Sequence, residues 1–225
     1  MNLSEVIFRD DINVELIQSV GNDEIIARAA RASSNKDKLE GVDPKRLVTA
    51  LWREGHTVPF EHNLITLRIE MPLFLTPQML KHRHTSISQL SGRYSQMPPQ
   101  FYINPEDRPL SNDGSSMRPE MVDGGKELRD LAEELYVMTA ETQVKAYNAL
   151  LDAGASNEVA RNVLPPTVYT TQWVSMNLHG WFNLLYLRNG SHGFPQWEWV
   201  KLSSQIEDII AELFPYAFTA WKELG

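Results

Sequence analysis

A short basic segment, residues 81–94, holds the side chains best suited to bind an anion. No Asp or Glu occurs between Thr76 and Ser95, although the chain as a whole carries a formal net charge of −8. Three fixed cations, Lys81, Arg83 and Arg93, stand there among Ser, Thr and Gln residues. Because Lys and Arg supply charge while hydroxyl and amide groups supply directed hydrogen bonds, the segment predicts a site for a phosphorylated ligand.

A strand and a helix are predicted to position this segment. Apolar and polar residues alternate over residues 65–71, which predicts a strand with one solvent-exposed face that ends at Pro72. Thr76 is a suitable N-cap and Pro77 a suitable first helical residue, so we expect a helix that runs into the basic segment.

The remaining elements predict an α+β fold. Residues 97–125, rich in Pro, Gly, Ser, Asn and Asp, are expected to form a long exposed loop. Periodicity and capping residues predict strands over residues 12–16 and 167–174, and helices over residues 22–30, 43–55, 126–153, from 157, 177–188, and a last one from 195 to 213. Strands in blocks between long helices predict an antiparallel β-sheet packed with long helices, in a single domain over residues 1–225.

Composition narrows the classes of function. A chain of 225 residues with 42% hydrophobic content can bury the core of one domain. The negative net charge argues against nucleic-acid binding, which needs a basic face. No apolar run is long enough to span a membrane and the N-terminal residues lack the pattern of a signal peptide, so a cytoplasmic protein with no membrane partner is expected. With no cysteine, the sequence excludes disulfides, thiolate metal sites and cysteine nucleophiles.

Metal binding is not expected at the two histidines of the basic segment. His82 and His84 are two residues apart, and such neighbours point to different faces of a helix. Carboxylates are also few nearby. The site is therefore predicted to hold no metal.

The basic segment also resembles a known family. His82-Arg83, seven residues and then Ser91-Gly92-Arg93-Tyr94 resemble the Arg-His-Arg-x7-Ser signature of the flavin-dependent thymidylate synthases. Further segments that resemble the family's motifs follow in the family's order: His56 with Pro59-Phe60-Glu61-His62, Gln78, Val159-Ala160-Arg161 with Leu164-Pro165, and Asn177, Asn183, Leu187-Arg188 and Ser191-His192. The resemblance spans residues 56–198.

The resemblance implies a fold of that family's type and reductive C5-methylation of dUMP to dTMP. Methylenetetrahydrofolate would be the carbon donor, FAD the redox and methylene relay, and NADPH the reductant. It also implies a homotetramer with shared active sites. The absence of cysteine agrees, because ordinary thymidylate synthases attack the uracil ring with a cysteine and this family does not. The alternatives are methylation of a related nucleotide such as UMP, and a flavin- or nucleotide-binding protein without turnover.

By the same resemblance, individual residues receive roles. Arg188 is the expected catalytic residue, since a guanidinium would stabilise negative charge that develops on the uracil; the alternative is an Arg that complements a helix dipole. The residues expected to bind the nucleotide are Gln78, Lys81, Gln89, Ser91, Gly92, Arg93, Arg161 and Arg188. The residues expected to bind FAD are His56, Val58, Glu61, Lys81, His82, Arg83, Ser88, Gln89, Asn177, His179 and Asn183.

Five positions depart from the family's pattern. Lys81 replaces the first Arg of the signature and loses its planar, bidentate hydrogen bonding. Ser88 and Gln89 stand where many members have Asn and Glu, Val58 replaces a common Thr, and His179 replaces an Arg. These departures leave the choice between dUMP and UMP open.

Overall fold

Short strands and longer helices make up the computed structural model, which describes residues 5–32 and 41–224. In chain order the strands are β1 (Ile7–Arg9), β2 (Asn13–Val20), β3 (Leu64–Pro72), β4 (Ser86–Gln89), β5 (Gln100–Tyr102), β6 (Ser111–Asn112), β7 (Met121–Val122) and β8 (Tyr169–Met176). The helices are α1 (Asp23–Ala32), α2 (Pro44–Arg53), α3 (Thr76–Met79), α4 (Gly125–Asp152), α5 (Asn157–Ala160), α6 (Leu178–Arg188), α7 (Trp197–Leu213) and α8 (Pro215–Leu224). Single 3-10 turns cover Val58–Glu61, Leu73–Leu75 and Arg161–Val163.

The chain divides into two compact units, which are described separately. The first unit comprises Met1–Ile12, Glu70–Pro77 and Gln89–Gln172. The second unit comprises Asn13–Ile69, Gln78–Ser88 and Trp173–Gly225. The organisation of residues 1–225 as one domain stays a prediction.

The first unit is built around α4. This helix turns Ala140, Val144 and Tyr147 inward, and the first two pack in a cluster with Phe101 and Met97. The Tyr147 hydroxyl accepts a hydrogen bond from the Met97 backbone N–H at 3.2 Å. Strands β1 and β5 pair in parallel. The predicted helix over residues 126–153 is thus confirmed.

The second unit has a core of stacked and edge-to-face aromatic rings. Trp52 of α2 meets the rings of Phe60 and Phe182 edge-on, each at 5.3 Å between centroids. Phe182 of α6 stacks on Trp221 of α8 at 5.1 Å. Buried Asn63 joins two of these elements, because its side chain donates to the Phe60 carbonyl and accepts from the N–H at the start of α6. These contacts fix the start of α6, which carries several of the predicted site residues.

A four-stranded sheet has the strand order β2-β3-β8-β4. The strand predicted over residues 65–71 is confirmed as β3, but its polar face is less exposed than expected. Thr66 is only 3% exposed, because its hydroxyl lies 2.8 Å from the Ser175 hydroxyl of the neighbouring strand β8.

Capping residues correctly predicted two helix starts. The Asp43 side chain accepts from the Arg46 N–H at the start of α2, and the Asn177 side chain accepts from the Gly180 N–H at the start of α6. Short polar side chains satisfy N–H groups that a first helical turn leaves unpaired.

Three predictions about local structure are wrong. The helix from Thr76 ends at Met79, so the basic segment is not helical: it turns at His84, whose φ is +59°, and then enters β4. The 97–125 segment contains the short strands β5, β6 and β7. The last predicted helix is followed by another, α8, because Pro215 has no N–H to continue α7 and suits a first helical position.

Candidate functional site

The second unit contains a cavity of about 430 Å³ beside the basic segment. Its lining consists of Glu61, Lys81, His82, Arg83, His84, Asn177, His179, Gly180, Asn183 and Leu187. The carboxylate of this set, Glu61, lies 3.1 Å from His179 Nδ1 and is therefore engaged. Lys81 and Arg83 remain as cations beside two asparagine amides. This set of donors suits a polar, anionic ligand.

Arg188, the last residue of α6, is held on three sides in the same unit. It donates from Nη1 to Gln78 Oε1 at 3.1 Å and from Nε to His82 Nε2 at 3.4 Å. Its guanidinium carbon lies 5.5 Å from the ring centroid of Trp199. Gln78 is oriented in turn, since its Nε2 donates to Gln196 Oε1 at 2.7 Å. The guanidinium is therefore preorganised rather than free to rotate.

The electrostatics of this cluster keep His82 neutral. Burial, and then the nearby charge of Arg188, lower the pKa of His82 to about 4. Near neutral pH its Nε2 thus carries a lone pair that can accept from Arg188. Burial also lowers the pKa of Arg188, but an arginine remains protonated in proteins. The result is a half-buried cation beside a neutral imidazole.

A second group of predicted residues meets in the first unit. The Ser91 hydroxyl accepts from the Arg93 N–H at 3.3 Å and shapes the turn that follows β4. Gly92 is buried there, and a Cβ atom at this position would lie 2.9 Å from Arg161 Cδ. The Arg93 side chain forms an ion pair with Glu158, with 2.9 Å between Nε and Oε1. Two arginines and a close backbone approach are features of a phosphate site.

Gln89 is held in the first unit by a residue that the sequence did not single out. Gln172 Nε2 donates to Gln89 Oε1 at 3.0 Å and to Thr76 Oγ1 at 3.1 Å. Sequence reasoning also did not identify Gln196, which orients Gln78, or Trp199, which faces Arg188. The available signal for Gln172 was a long amide side chain inside an otherwise β-branched and aromatic strand.

Four of the residues predicted to bind FAD, namely His56, Val58, Ser88 and Gln89, do not line the 430 Å³ cavity. Ser88 belongs to a shallow hollow of the second unit, which it lines with Thr66, Ser86, Ile87, Trp173 and Ser175. Val58 is 64% exposed, and the backbone N–H of His56 donates to the carbonyl of Leu51. Their role in binding FAD stays a prediction.

A larger cavity, of about 660 Å³ in the first unit, contains none of the predicted residues. Its charged lining consists of Asp10, Glu106, Asp123, Asp130, Glu133, Lys126 and Arg129. Both basic groups are paired, Lys126 with Asp130 and Arg129 with Asp123. The excess of carboxylates makes this cavity unsuited to a phosphorylated ligand.

Within residues 5–32 and 41–224 no three His, Cys, Asp or Glu side chains cluster as metal ligands would. None of the helices described there is both long and apolar enough to cross a membrane.

Comparison with known sequences gives consistent matches over nearly the whole chain. The family model described as thymidylate synthase complementing protein matches residues 15–216. The flavin-dependent thymidylate synthase of Thermotoga neapolitana is 36% identical over 209 residues, which cover 92% of this chain and 89% of that protein. The flavin-dependent thymidylate synthase of Tropheryma whipplei (strain TW08/27) is 31% identical over 229 residues, which cover 97% and 95%.

Solved structures match equally well. The crystal structure of the UMP/dUMP methylase PolB from Streptomyces cacaoi bound with 5-Br UMP has a TM-score of 0.89 and 29% identity, covering 98% of this chain and 97% of that one. The structure of PolB bound with 5-Br dUMP has a TM-score of 0.90 and covers 98% of each chain. The predicted fold class of helices with an antiparallel sheet is confirmed. This chain belongs to the thymidylate synthase complementing protein family and is an enzyme of the flavin-dependent thymidylate synthase type.

Proposed function

We propose that this enzyme methylates C5 of the uracil ring of dUMP to give dTMP. The carbon would come from methylenetetrahydrofolate and the reducing equivalents from NADPH, with FAD as the flavin. The observation that carries the proposal is Arg188, a cation oriented by Gln78 and His82 beside a basic cavity. A chain with no cysteine must activate the pyrimidine by some other means than thiolate attack.

The cavity of the second unit fits a flavin dinucleotide by its donor set. Lys81 and Arg83 would neutralise phosphate charge, and Asn183 would hydrogen-bond polar edges of the ring system. The Asn177 oxygen already caps α6, which leaves its amide nitrogen to donate to the cofactor. When bound, the flavin would supply reducing equivalents and relay the carbon unit. The protein's contribution is to bind and orient.

Arg188 is proposed to act on the pyrimidine by electrostatics. A guanidinium beside the ring carbonyls and N3 would stabilise the negative charge that develops as C5 becomes nucleophilic. Its hydrogen bonds to Gln78 and His82 are already formed, so little reorientation is needed during the reaction. A neutral His82 also avoids a second cation in contact with Arg188.

The nucleotide phosphate is proposed to bind the cluster of the first unit. Arg93 and Arg161 would supply charge, while Ser91 and the backbone at Gly92 would supply hydrogen bonds. We further propose a homotetramer with shared active sites, as the family resemblance implies. In such an assembly the phosphate cluster and the Arg188 cluster that serve one nucleotide need not come from one chain.

Methylation of UMP is the second candidate. It is favoured by the similarity to PolB, a UMP/dUMP methylase whose structures hold 5-Br UMP and 5-Br dUMP. The two nucleotides differ at the 2′ position of the sugar. Measuring kcat/KM for dUMP and for UMP with the same preparation decides between them.

The proposal is tested with purified protein and an Arg188→Ala variant. We expect the wild type to show flavin absorbance and to methylate dUMP. Arg188→Ala should keep the flavin but lose activity by at least about 100-fold, the usual cost of removing a transition-state charge donor. Arg28→Ala, which removes an exposed arginine of α1, is the matched control and should remain active. Full activity of Arg188→Ala would remove Arg188 from the mechanism.

A further inference from the structure

Gln172 of β8 is a fully buried amide with an unequal set of partners. Its side chain is 0% exposed. Its Nε2 makes two hydrogen bonds, at 3.1 Å to Thr76 Oγ1 and at 3.0 Å to Gln89 Oε1. Its Oε1 is buried without a hydrogen-bond partner. A buried polar group that lacks a partner costs free energy, so an apolar side chain would suit the interior better unless the amide serves a purpose.

The hydrogen bonds determine which way the Gln172 amide faces. In the observed orientation both of its N–H groups are satisfied and one acceptor is not. Exchanging the nitrogen and oxygen would place two N–H donors at the position that has no partner. That arrangement buries two unpaired donors instead of one unpaired acceptor and is the less favourable of the two. Gln172 therefore donates to Gln89.

The hydrogen bond from Gln172 determines whether the Gln89 side chain offers its Nε2 donor or its Oε1 acceptor to other partners. The oxygen and nitrogen of a primary amide point in different directions from its trigonal carbon, so the bond that Oε1 accepts from Gln172 leaves the Gln89 Nε2 pointing elsewhere. Gln89 itself is exposed. Its backbone is held as well, since the next residue, Leu90, donates its N–H to the Thr171 carbonyl at 2.9 Å. Both the place and the polarity of the Gln89 amide are thus set from β8.

We propose that Gln172 is a positioning residue that makes Gln89 a hydrogen-bond donor to an acceptor oxygen of the bound pyrimidine nucleotide. This rests on the proposed function, because Gln89 is one of the residues that the family resemblance assigns to the nucleotide. Gln172 does not touch the nucleotide and acts only through Gln89. Without it, the Gln89 amide rotates freely and must be ordered on binding, which weakens affinity.

The test is a double-mutant cycle on dUMP affinity, measured by calorimetric titration of the flavin-loaded enzyme. Gln172→Leu should weaken binding about three- to tenfold, the range of one hydrogen bond. Gln89→Ala should weaken it at least as much. In the Gln89→Ala background, Gln172→Leu should cause no further loss, because its effect is transmitted through the missing amide.

Several outcomes would overturn the proposal. If the two substitutions weaken dUMP binding independently, so that their effects multiply in the double variant, Gln172 affects binding by a route other than Gln89. If Gln172→Leu binds dUMP as tightly as the wild type, Gln172 does not affect binding at all. Circular dichroism and flavin content check that each variant is folded. If Gln172→Leu does not fold, Gln172→Met, unbranched and similar in length, replaces it in the cycle. Failure of both to fold would assign Gln172 to folding alone and reject the positioning role.

The wild-type titration separates this inference from the proposed function. If the wild type binds neither dUMP nor UMP, the proposed function itself is wrong. If it binds one of them and the cycle shows no coupling, only the role of Gln172 is rejected.

Discussion

Acidification should destabilise the protein through His82 in particular. Burial and the charge of Arg188 hold the pKa of His82 at about 4, against 6.5 for an unperturbed histidine. Between these values the unfolded chain binds a proton that the folded chain does not. The contribution of His82 to the free energy of unfolding is therefore fully present above pH 6.5 and is lost as the pH falls through 4.

The size of this loss follows from the two pKa values. Each pKa unit between the folded and unfolded states corresponds to about 1.4 kcal/mol, so the complete loss is ~3 kcal/mol. At pH 5, between the two values, ~2 kcal/mol of it is already gone. That is a large part of the 5–15 kcal/mol typical of a folded protein.

This loss is checked by urea unfolding of the wild type and of a His82→Gln variant. Both proteins are measured at pH 7.5 and at pH 5, at one protein concentration. The glutamine oxygen can accept from Arg188 but does not titrate. Other groups that respond to acid, such as Asp11 and Asp123 whose pKa values are lowered by arginine partners, contribute equally to both proteins and cancel in the difference. The wild type should lose ~2 kcal/mol more than the variant.

An equal loss in the two proteins would refute the reasoning, since it would show that His82 binds protons alike in the folded and unfolded states. His84→Gln provides the matched control. This histidine is an exposed neighbour in the same segment, so its replacement controls for the exchange of a histidine for a glutamine as such.

Three further substitutions test other contacts. Gly92→Ala should weaken dUMP binding about tenfold in a titration, because its Cβ would lie 2.9 Å from both Arg161 Cδ and Met97 Sδ and at least one of these side chains must move; unchanged affinity would mean that the close packing at Gly92 does not serve the nucleotide. Asn63→Ala should lower the free energy of unfolding by ~2 kcal/mol, since it leaves the buried N–H of Leu178 unpaired, and a loss below ~0.5 kcal/mol would contradict this. Asp23→Ala should lower the free energy of unfolding by ~1–2 kcal/mol in the same urea assay, because the Asp23 carboxylate accepts from two N–H groups at the start of α8. An unchanged unfolding midpoint would show that Asp23 does not cap α8.

Local sequence signals predicted much of the fold. Asp43 before Pro44 and Asn177 before an apolar run predicted the starts of α2 and α6, because capping depends on side chains within one turn. The prediction failed where the outcome depends on distant partners. A helix was expected through the basic segment, but His84 adopts a positive φ there and the chain turns into β4, an edge strand of the sheet.

In the candidate site, too, residues close together in the sequence could be predicted and their distant partners could not. The short spacing from His82 to Arg93 was visible in the sequence, and so were single residues such as Arg188. The partners that orient them were not, because Gln196 and Gln172 lie 118 and 83 residues from the side chains that they hold. Amide orientation is a property of three-dimensional networks and leaves no periodic trace in the chain.

The ion pair between Arg93 and Glu158 has a consequence for selectivity. To reach Arg93, an arriving anion must displace the Glu158 carboxylate, which already lies 2.9 Å from the guanidinium. A singly charged anion such as chloride or acetate carries the same charge as the Glu158 carboxylate, so replacing the carboxylate with it gains little free energy. A phosphate monoester carries close to two charges and three acceptor oxygens and therefore outcompetes the carboxylate. We therefore expect the ligand-free enzyme to bind a nucleotide monophosphate in preference to the monovalent anions around it.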